Sequence, residues 1–505
     1  MSKKELGVVL TPPKTADYIV SRLGNISPNQ KVLDPCVGPG IFVIALLKHG
    51  VEKSQIFCHD INPDYKATIE DLGVRFKAID NLLSLNSESY DEFDIIVGNP
   101  PYLNKASNYV RSNRAELKKL YGKINAHETY SMFIVNSIWR LKEGGKLGFI
   151  TSDSFLSLST HTKLRKFILK NCLINEILLA PRDLFSNQNV STSPAILILT
   201  KCSSEQMRNQ NNVYVVPRIK SEEDYKRPKK TLNIQQKNYH VLPFNIFFID
   251  IEKEVIDFFE GAPRLEDFIN GYIGMHTHDN KKYVAAIEGT NLASIFKKKN
   301  EKNKDSNLKY KIIKREELGS GNWKPYLKRG GSEQYYRPIS EALDWSEGAI
   351  KIYDIPKNAP FEKEGIVISG VSSRLAARYM PEGCYWDSNK AMGCIIKSKS
   401  ISIESTLGIL NSSLFNYFAK GIINNTNSIQ LTGIHALPFF EPESNLKSEI
   451  EAQVHIIIEN KKLNPVYNYI KEQKLIDNLV FNYFVKEHNF PLSLKKKLDN
   501  KYSVY

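Results

Sequence analysis

Over the first two hundred residues, short apolar runs alternate with segments of helical periodicity, and this alternation constrains the fold more than any other feature. Residues 31–33 read as a first strand, followed by a helix through 42–47. Residues 55–58, 74–78 and 94–97 read as a second, third and fourth strand. A helix over 129–141, the turn Gly144-Gly145, a fifth strand over 146–150 and a helix near 160–170 follow. Two later apolar runs, 174–179 and 195–200, are expected as edge strands. Such a succession predicts an α/β fold with a doubly wound, Rossmann-like sheet.

A chain of 505 residues is too long for one ordinary core, so two or three domains are expected. From about residue 205 the alternation ends and polar stretches appear. The expected division is an α/β domain over 1–205, a linker over 206–240, a mixed α+β region over 241–440 and a helical extension over 441–505. In the last, Ile450, Val454, Ile457 and Ile458, then Ile476, Leu479, Val480 and Tyr483, recur at helical spacing.

The formal charge of +14 suits a polyanionic partner such as nucleic acid; general solubility charge fits it equally well. The six cysteines are scattered, without a CxxC pair, so neither a metal site nor a disulfide framework is expected. The N-terminus lacks the apolar run of a signal peptide, and no stretch is apolar for long enough to span a bilayer. These features predict a reduced, cytoplasmic protein with no membrane partner.

Three strand ends carry chemistry. The first opens Asp34-Pro35-Cys36-Val37-Gly38-Pro39-Gly40, a glycine turn that lets backbone approach a ligand. It is neither G-x-G-x-x-G nor a P-loop. Asp60 closes the second strand about 20 residues later, where a carboxylate meets the hydroxyls of a ribose. Asp80 closes the third; it could bond an adenine amino group or cap the next turn. The fourth strand runs into Asn99-Pro100-Pro101-Tyr102. Two prolines fix φ and remove N–H donors, giving a stiff corner. An amide oxygen, a proline carbonyl and an aromatic face can together grip a planar ring bearing an exocyclic amine. In the usual strand order the first and fourth strands are neighbours at the switch point, which sets the glycine turn beside the proline corner.

This set resembles the S-adenosylmethionine-dependent DNA methyltransferases of the amino-adenine class. It includes Leu10-Thr11-Pro12-Pro13, which looks like the family's N-terminal segment bordering the methionine part of the cofactor. The motif order is the gamma arrangement, similar to TaqI-type modification methyltransferases. The resemblance implies that Thr11, Pro12, Asp34, Pro35, Cys36, Gly38, Gly40, Asp60, Ile61, Asp80 and Asn81 bind S-adenosylmethionine. It implies that Asn99 and the Pro100 carbonyl accept the adenine amino hydrogens, with Pro101 stiffening the corner and Tyr102 stacking on the base. Phe185, in Leu184-Phe185-Ser186-Asn187-Gln188-Asn189-Val190, is the candidate for the second stacking aromatic; an ordinary core residue is its plain reading. A paired base hides its amine, so the target must be flipped out of the duplex. No metal is required.

The second region offers DNA contacts. Lys297, Lys298, Lys299, Lys302, Lys304, Lys309, Lys311, Lys314 and Arg315 form a basic cluster, of which 297–304 reads as a solvated loop. Lys324, Lys328 and Arg329, with Arg374 and Arg378, are the candidates for reading double-stranded DNA. The resulting expectation is a site-specific adenine-N6 DNA methyltransferase of a restriction-modification system, monomeric, with room for a separate cognate restriction endonuclease. Cytosine-N4 methylation and glutamine-N5 methylation of protein are the alternatives.

Overall fold

A computed structural model describes residues 7–86, 90–124, 128–188, 193–302, 309–388, 390–424 and 426–505. Two compact units divide the chain, Met1–Glu252 and Lys253–Tyr505.

The first unit is built on nine strands: β1 (Val32–Asp34), β2 (Ile56–Asp60), β3 (Arg75–Ala78), β4 (Phe93–Gly98), β5 (Leu141–Ser152), β6 (Cys172–Leu179), β7 (Pro194–Lys201), β8 (Asn212–Val216) and β9 (Leu232–Gln235). They form one sheet in the order β3-β2-β1-β4-β5-β7-β6-β8-β9. The first five are mutually parallel, and β7 runs antiparallel between β5 and β6. The order reverses between β1 and β4, so their carboxyl ends flank a crevice. Short central strands such as Val32 and Leu33, fully buried, read as continuous apolar runs because helices cover both faces.

Three sequence expectations need correction. Residues 174–179 and 195–200 are interior strands rather than edges. Ala195 to Leu199 are buried on both faces, and β7 has a bonded neighbour on each side. An unbroken apolar run of this length marks a covered strand. Residues 206–240 are not a linker: β8 pairs parallel with β6, β9 closes the sheet, and Val213, Val215 and Val216 are buried. The Gly144-Gly145 turn lies inside β5, where pairing with β4 shifts register between Phe93 and Ile95 and Gly144 takes φ +77°.

A buried acid anchors the N-terminal helix, Pro13–Arg22, to the sheet. Glu176 on β6, 1% exposed, accepts from Arg22 Nε at 2.5 Å and from the Tyr18 hydroxyl. This fixes the segment just before the helix, which carries Thr11.

The second unit holds β10 (Ile269–Ile273), β11 (Val284–Ile287), β12 (Lys311–Ile313), β13 (Trp323–Leu327), β14 (Glu341–Asp344), β15 (Gly365–Ser369), β16 (Ala377–Met380), β17 (Tyr385–Trp386) and β18 (Ala391–Ile396). They make a four-stranded sheet, β10-β18-β15-β16, and a five-stranded one, β12-β11-β14-β13-β17. Residues 441–505 are helical, yet they are part of this unit rather than an appendage. Helix Ser444–Leu463 buries Ile450, Val454, Ile457 and Ile458. A Cβ added at Gly408, on helix Ile403–Asn411, would meet Ile450 Cγ2 at 2.2 Å, so only glycine permits that approach. Helix Ile470–His488 is tied in by Asp477, whose Oδ1 accepts from Ser413 N at 2.7 Å.

The lysine-rich stretch expected as a loop is helical: Lys297, Lys298, Lys299 and Lys302 lie on helix Asn291–Lys302. Lys304 lies outside the described residues. All six cysteines are free thiols. Among the described residues no helix is long and apolar enough to cross a membrane.

Candidate active site

The glycine turn leaves β1 and enters helix Ile41–Lys48 with Gly38 at φ +52° and Gly40 at φ +93°. A Cβ on Gly40 would also meet Ile69 Cδ1 at 2.8 Å, so the position needs glycine twice over. Asp60, at the end of β2, holds the turn: its Oδ2 accepts from Gly38 N and its Oδ1 from Asn62 N, both at 2.9 Å. Burial pushes the Asp60 carboxyl up, against the opposing pull of those backbone donors.

The proline corner follows β4 and is pinned from two sides. Tyr102 N donates to Gly7 O at 3.2 Å. Thr129, at the start of helix Thr129–Arg140, donates from Oγ1 to Pro101 O at 2.5 Å and accepts there from Leu103 N at 3.0 Å. Asn99 Nδ2 donates to Val9 O at 2.8 Å and to Thr11 Oγ1 at 3.0 Å. Both amide hydrogens are thereby used, and Asn99 Oδ1, buried, has no partner among the described residues. No donor among the described residues is bonded to the Pro100 carbonyl.

Turn and corner open onto one cavity of about 260 Å³. Thr11, Pro35, Cys36, Gly38, Asp60, Ile61, Asp80, Asn81, Asn99 and Pro101 line it, so ten of the residues expected at the site converge. Leu10 and Ile61, apolar and about 40% exposed, also face it and gain from a ligand that covers them.

Other expected residues take different places. Asp34 does not line the cavity. It is fully buried under the turn, where Oδ1 accepts from Cys36 N at 3.1 Å and a Cβ on Gly98 would stand 3.0 Å from it. Burial holds its carboxyl well above the ordinary range. Pro12 and Gly40 shape the backbone without lining the cavity, and of the proline corner only Asn99 and Pro101 line it; Pro100 and Tyr102 do not. Asp80 combines both of its readings. It caps the next turn by accepting from Leu82 N and Leu83 N, and it faces the cavity, where the Tyr109 hydroxyl donates to its Oδ1 at 3.0 Å and Oδ2 at 2.9 Å. The Asn81 amide is spent on protein, donating to Pro35 O at 2.6 Å and bonding His59 Nδ1 at 2.9 Å.

Tyr102 and Phe185 do not frame an open slot. Phe185 is 1% exposed within the hydrophobic core, edge-on to Tyr102 at 6.3 Å and 61°. A flat ring held between two aromatic faces needs them parallel, with room for a third ring between. Here Phe185 is the core residue of its plain reading. Asn189 and Val190, beyond it, lie outside the described residues.

Sequence reasoning missed the supports: Thr129 and Tyr109, the Tyr130 hydroxyl bonded to Ser154 Oγ and His161 Nε2 beside Tyr102, and Gln188, which bonds both the N–H and the C=O of Leu10. All act across long sequence separations that leave no local signature.

In the second unit the basic candidates divide. Arg378 is 2% exposed; it donates to Ser369 Oγ at 2.9 Å and to the carbonyls of Glu333 and Arg329, and burial pushes it down to about 9. It is a core strut, not a DNA contact. Lys328 is paired with the buried Asp387 at 2.7 Å and is similarly committed. Arg329 pairs with Glu341 at 2.6 Å but keeps its side chain half exposed, and Lys324 pairs loosely with Glu362 at 3.2 Å. Arg374 has no acidic partner among the described residues, and its Nε is buried without a hydrogen bond.

Comparison with known proteins gives the following. Residues 1–249 match the family described as N-6 DNA Methylase, and residues 308–439 match the TaqI-like C-terminal specificity domain. The chain is 26% identical over 254 residues to the Type II methyltransferase M.HincII of Haemophilus influenzae, covering 48% of this chain and 45% of that protein. It is 29% identical over 237 residues to the Type II methyltransferase M.BstVI of Geobacillus stearothermophilus, covering 38% and 42%. The matched part thus spans less than half the length of these relatives. Among solved structures, DrdV in complex with DNA is similar over 90% of this chain and 57% of its own, with a TM-score of 0.54 and 14% identity. A nuclease-deletion mutant of the Type ISP restriction-modification enzyme LlaGI, in complex with a DNA substrate mimic, covers 90% and 54% at a TM-score of 0.52 and 16% identity. At such identities the likeness establishes the fold.

Proposed function

We propose that this chain, whose residues 1–249 match the N-6 DNA Methylase family and whose residues 308–439 match the TaqI-like C-terminal specificity domain, methylates the N6 amine of adenine at specific sites in double-stranded DNA. The observation that carries the reading is Asn99. Its amide nitrogen is held by Val9 and Thr11, and its oxygen is left buried, unpaired and beside the cavity that Asp60 and Gly38 share.

S-adenosylmethionine supplies a methyl group activated on a sulfonium. The lining of the cavity supports it: Asp60 would take ribose hydroxyls, Asp80 an adenine amine, and the left-handed glycine turn would admit a ligand against backbone. Asn99 Oδ1 and the Pro100 carbonyl would accept the two hydrogens of the target amine. Acceptors on both N–H bonds favour a pyramidal nitrogen with a localised lone pair, and the gain grows as positive charge develops there. A desolvated acceptor is worth more than one in water. The stiff corner holds these acceptors in place, which supplies the proximity that in-line transfer needs.

The base would be flipped from the duplex and stacked on Tyr102. Because Phe185 packs edge-on against Tyr102, stacking requires the two rings to separate, so we assign base entry to a rearrangement around 185–188. Arg374, Arg329, Lys324 and the exposed Lys297 and Lys298 are the proposed DNA contacts. The motif order supports the gamma arrangement, and a cytoplasmic monomer acting beside a separate restriction endonuclease completes the reading.

Tritiated cofactor offered with duplex DNA, RNA and a glutamine-bearing protein tests it. Label in DNA as N6-methyladenine is expected. Label as N4-methylcytosine, or in protein alone, overturns it.

A further inference from the structure

The second unit carries a cluster that the methyl-transfer reading does not use. His276 and His278 stand two residues apart in Met275-His276-Thr277-His278, and Asp354 comes from the loop after helix Glu347–Ile350. Thr277, between the histidines, is 2% exposed and donates to Asn280 Oδ1 at 2.7 Å, so both rings are turned outward. The two segments are locked together by a pair of backbone bonds, His276 N to Asp354 O at 3.1 Å and Asp354 N to His276 O at 3.0 Å. The imidazoles lie 4.6 Å apart between centroids, nearly perpendicular, and His278 Nε2 is 2.9 Å from Asp354 Oδ2. One ligand atom from each of the three residues lies within 4.8 Å of the others.

We propose that His276, His278 and Asp354 bind a divalent transition-metal ion, zinc foremost, which braces the 274–280 segment to the 351–356 loop. Two imidazoles and one carboxylate are a donor set that suits zinc, nickel or copper and disfavours magnesium and calcium. A tetrahedral ion with bonds of about 2.0–2.1 Å sets its donors roughly 3.3 Å apart. The exposed side chains reach that spacing by rotation, while the backbone that carries them is already fixed. An open cleft of about 500 Å³ lined by Tyr353, Pro356 and Ser388 adjoins His276 and Asp354 and leaves room for water as a fourth ligand. A surface contact between His278 and Asp354 accounts for one interaction only. It does not explain why His276 is brought to the same place by backbone pairing, nor why His278 occupies the left-handed region at φ +59°. The site stands apart from the methyl-transfer cavity in sequence and chemistry, so its fate and that of the proposed activity are read separately.

The test uses the full-length, tag-free chain stripped with chelator, titrated with zinc chloride against a chromophoric competitor. One ion per chain is expected, undisturbed by millimolar magnesium. His276→Ala with His278→Ala, and Asp354→Asn alone, should each weaken binding by at least about tenfold. His278→Gly is the guard against misfolding, because glycine suits that backbone: it should fold as well as the parent and still lose the ion. Cobalt substitution should give visible d–d bands without a thiolate charge-transfer band. The proposal fails if no ion binds in the titrated range. It fails equally if the histidine variants bind as tightly as the parent, or if the cobalt spectrum reports cysteine ligation.

Discussion

Replacing Thr11 with valine probes how the Asn99 amide is oriented. Thr11 is 6% exposed, and its Oγ1 receives one of the two Asn99 Nδ2 hydrogens at 3.0 Å; Val9 O receives the other at 2.8 Å. Valine keeps the volume and removes the acceptor. A neutral hydrogen bond is worth about 1 kcal/mol net, and a buried donor left unpaired costs about 1–3 kcal/mol. Part of that cost is relieved when the amide rotates and turns an N–H, rather than Oδ1, toward the target amine. We therefore expect a loss of about 1–2 kcal/mol in transition-state stabilisation, or roughly fivefold to thirtyfold in kcat/KM. Thr11→Ser should restore most of it. Steady-state methyl transfer to duplex DNA, with cofactor Kd from calorimetry, separates orientation from binding. Unchanged turnover in Thr11→Val would refute the orientation argument. So would a loss that resides wholly in cofactor affinity.

Asp60→Asn exchanges a carboxylate that accepts from Gly38 N and Asn62 N for an amide that must present N–H to one of them. Cofactor affinity should fall by about 1.5–3 kcal/mol, between roughly tenfold and 150-fold, measured by calorimetry without DNA. Arg378→Met strands the acceptors that Arg378 serves; it should destabilise the second unit by about 1–3 kcal/mol in denaturant melts and leave the salt dependence of DNA binding as it was. Lys297→Gln with Lys298→Gln should do the reverse, lowering the salt slope by about 0.9 for each DNA phosphate no longer neutralised while stability holds.

The sequence carried the sheet's first half well, because each strand ends in a turn whose chemistry is local: Asp34 to Gly40, Asp60, and Asn99 to Tyr102. It misplaced 195–200 because an apolar run announces burial but not position within a sheet. It missed 212–216 and 232–235 because the polar stretches 201–211 and 221–230 around them masked two short strands, of which 212–216 pairs with β6 about 40 residues upstream and 232–235 pairs with 212–216. At the site, the residue type of Asn99 allowed either donating or accepting. Its direction became visible only with Val9 and Thr11 about 90 positions upstream. Arg378 misled for a related reason. An arginine in a basic region reads as a phosphate contact until its neighbours, Ser369 and two carbonyls, are in view. Phe185 shows the converse, since an aromatic near a site is a core residue until a free face is demonstrated.

In the proposed mechanism a rigid proline corner offers the Asn99 oxygen to the amine being methylated, and the Asn99→Ala variant tests it. Its most direct measurement pairs single-turnover methyl transfer with cofactor binding for Asn99→Ala. Transfer to DNA should fall below detection while cofactor Kd stays within about threefold of the parent, because the Asn99 amide itself is held by Val9 and Thr11 and not spent on Asp60 or the glycine turn. Measurable N6-methyladenine from the variant would show that Asn99 does not serve this role.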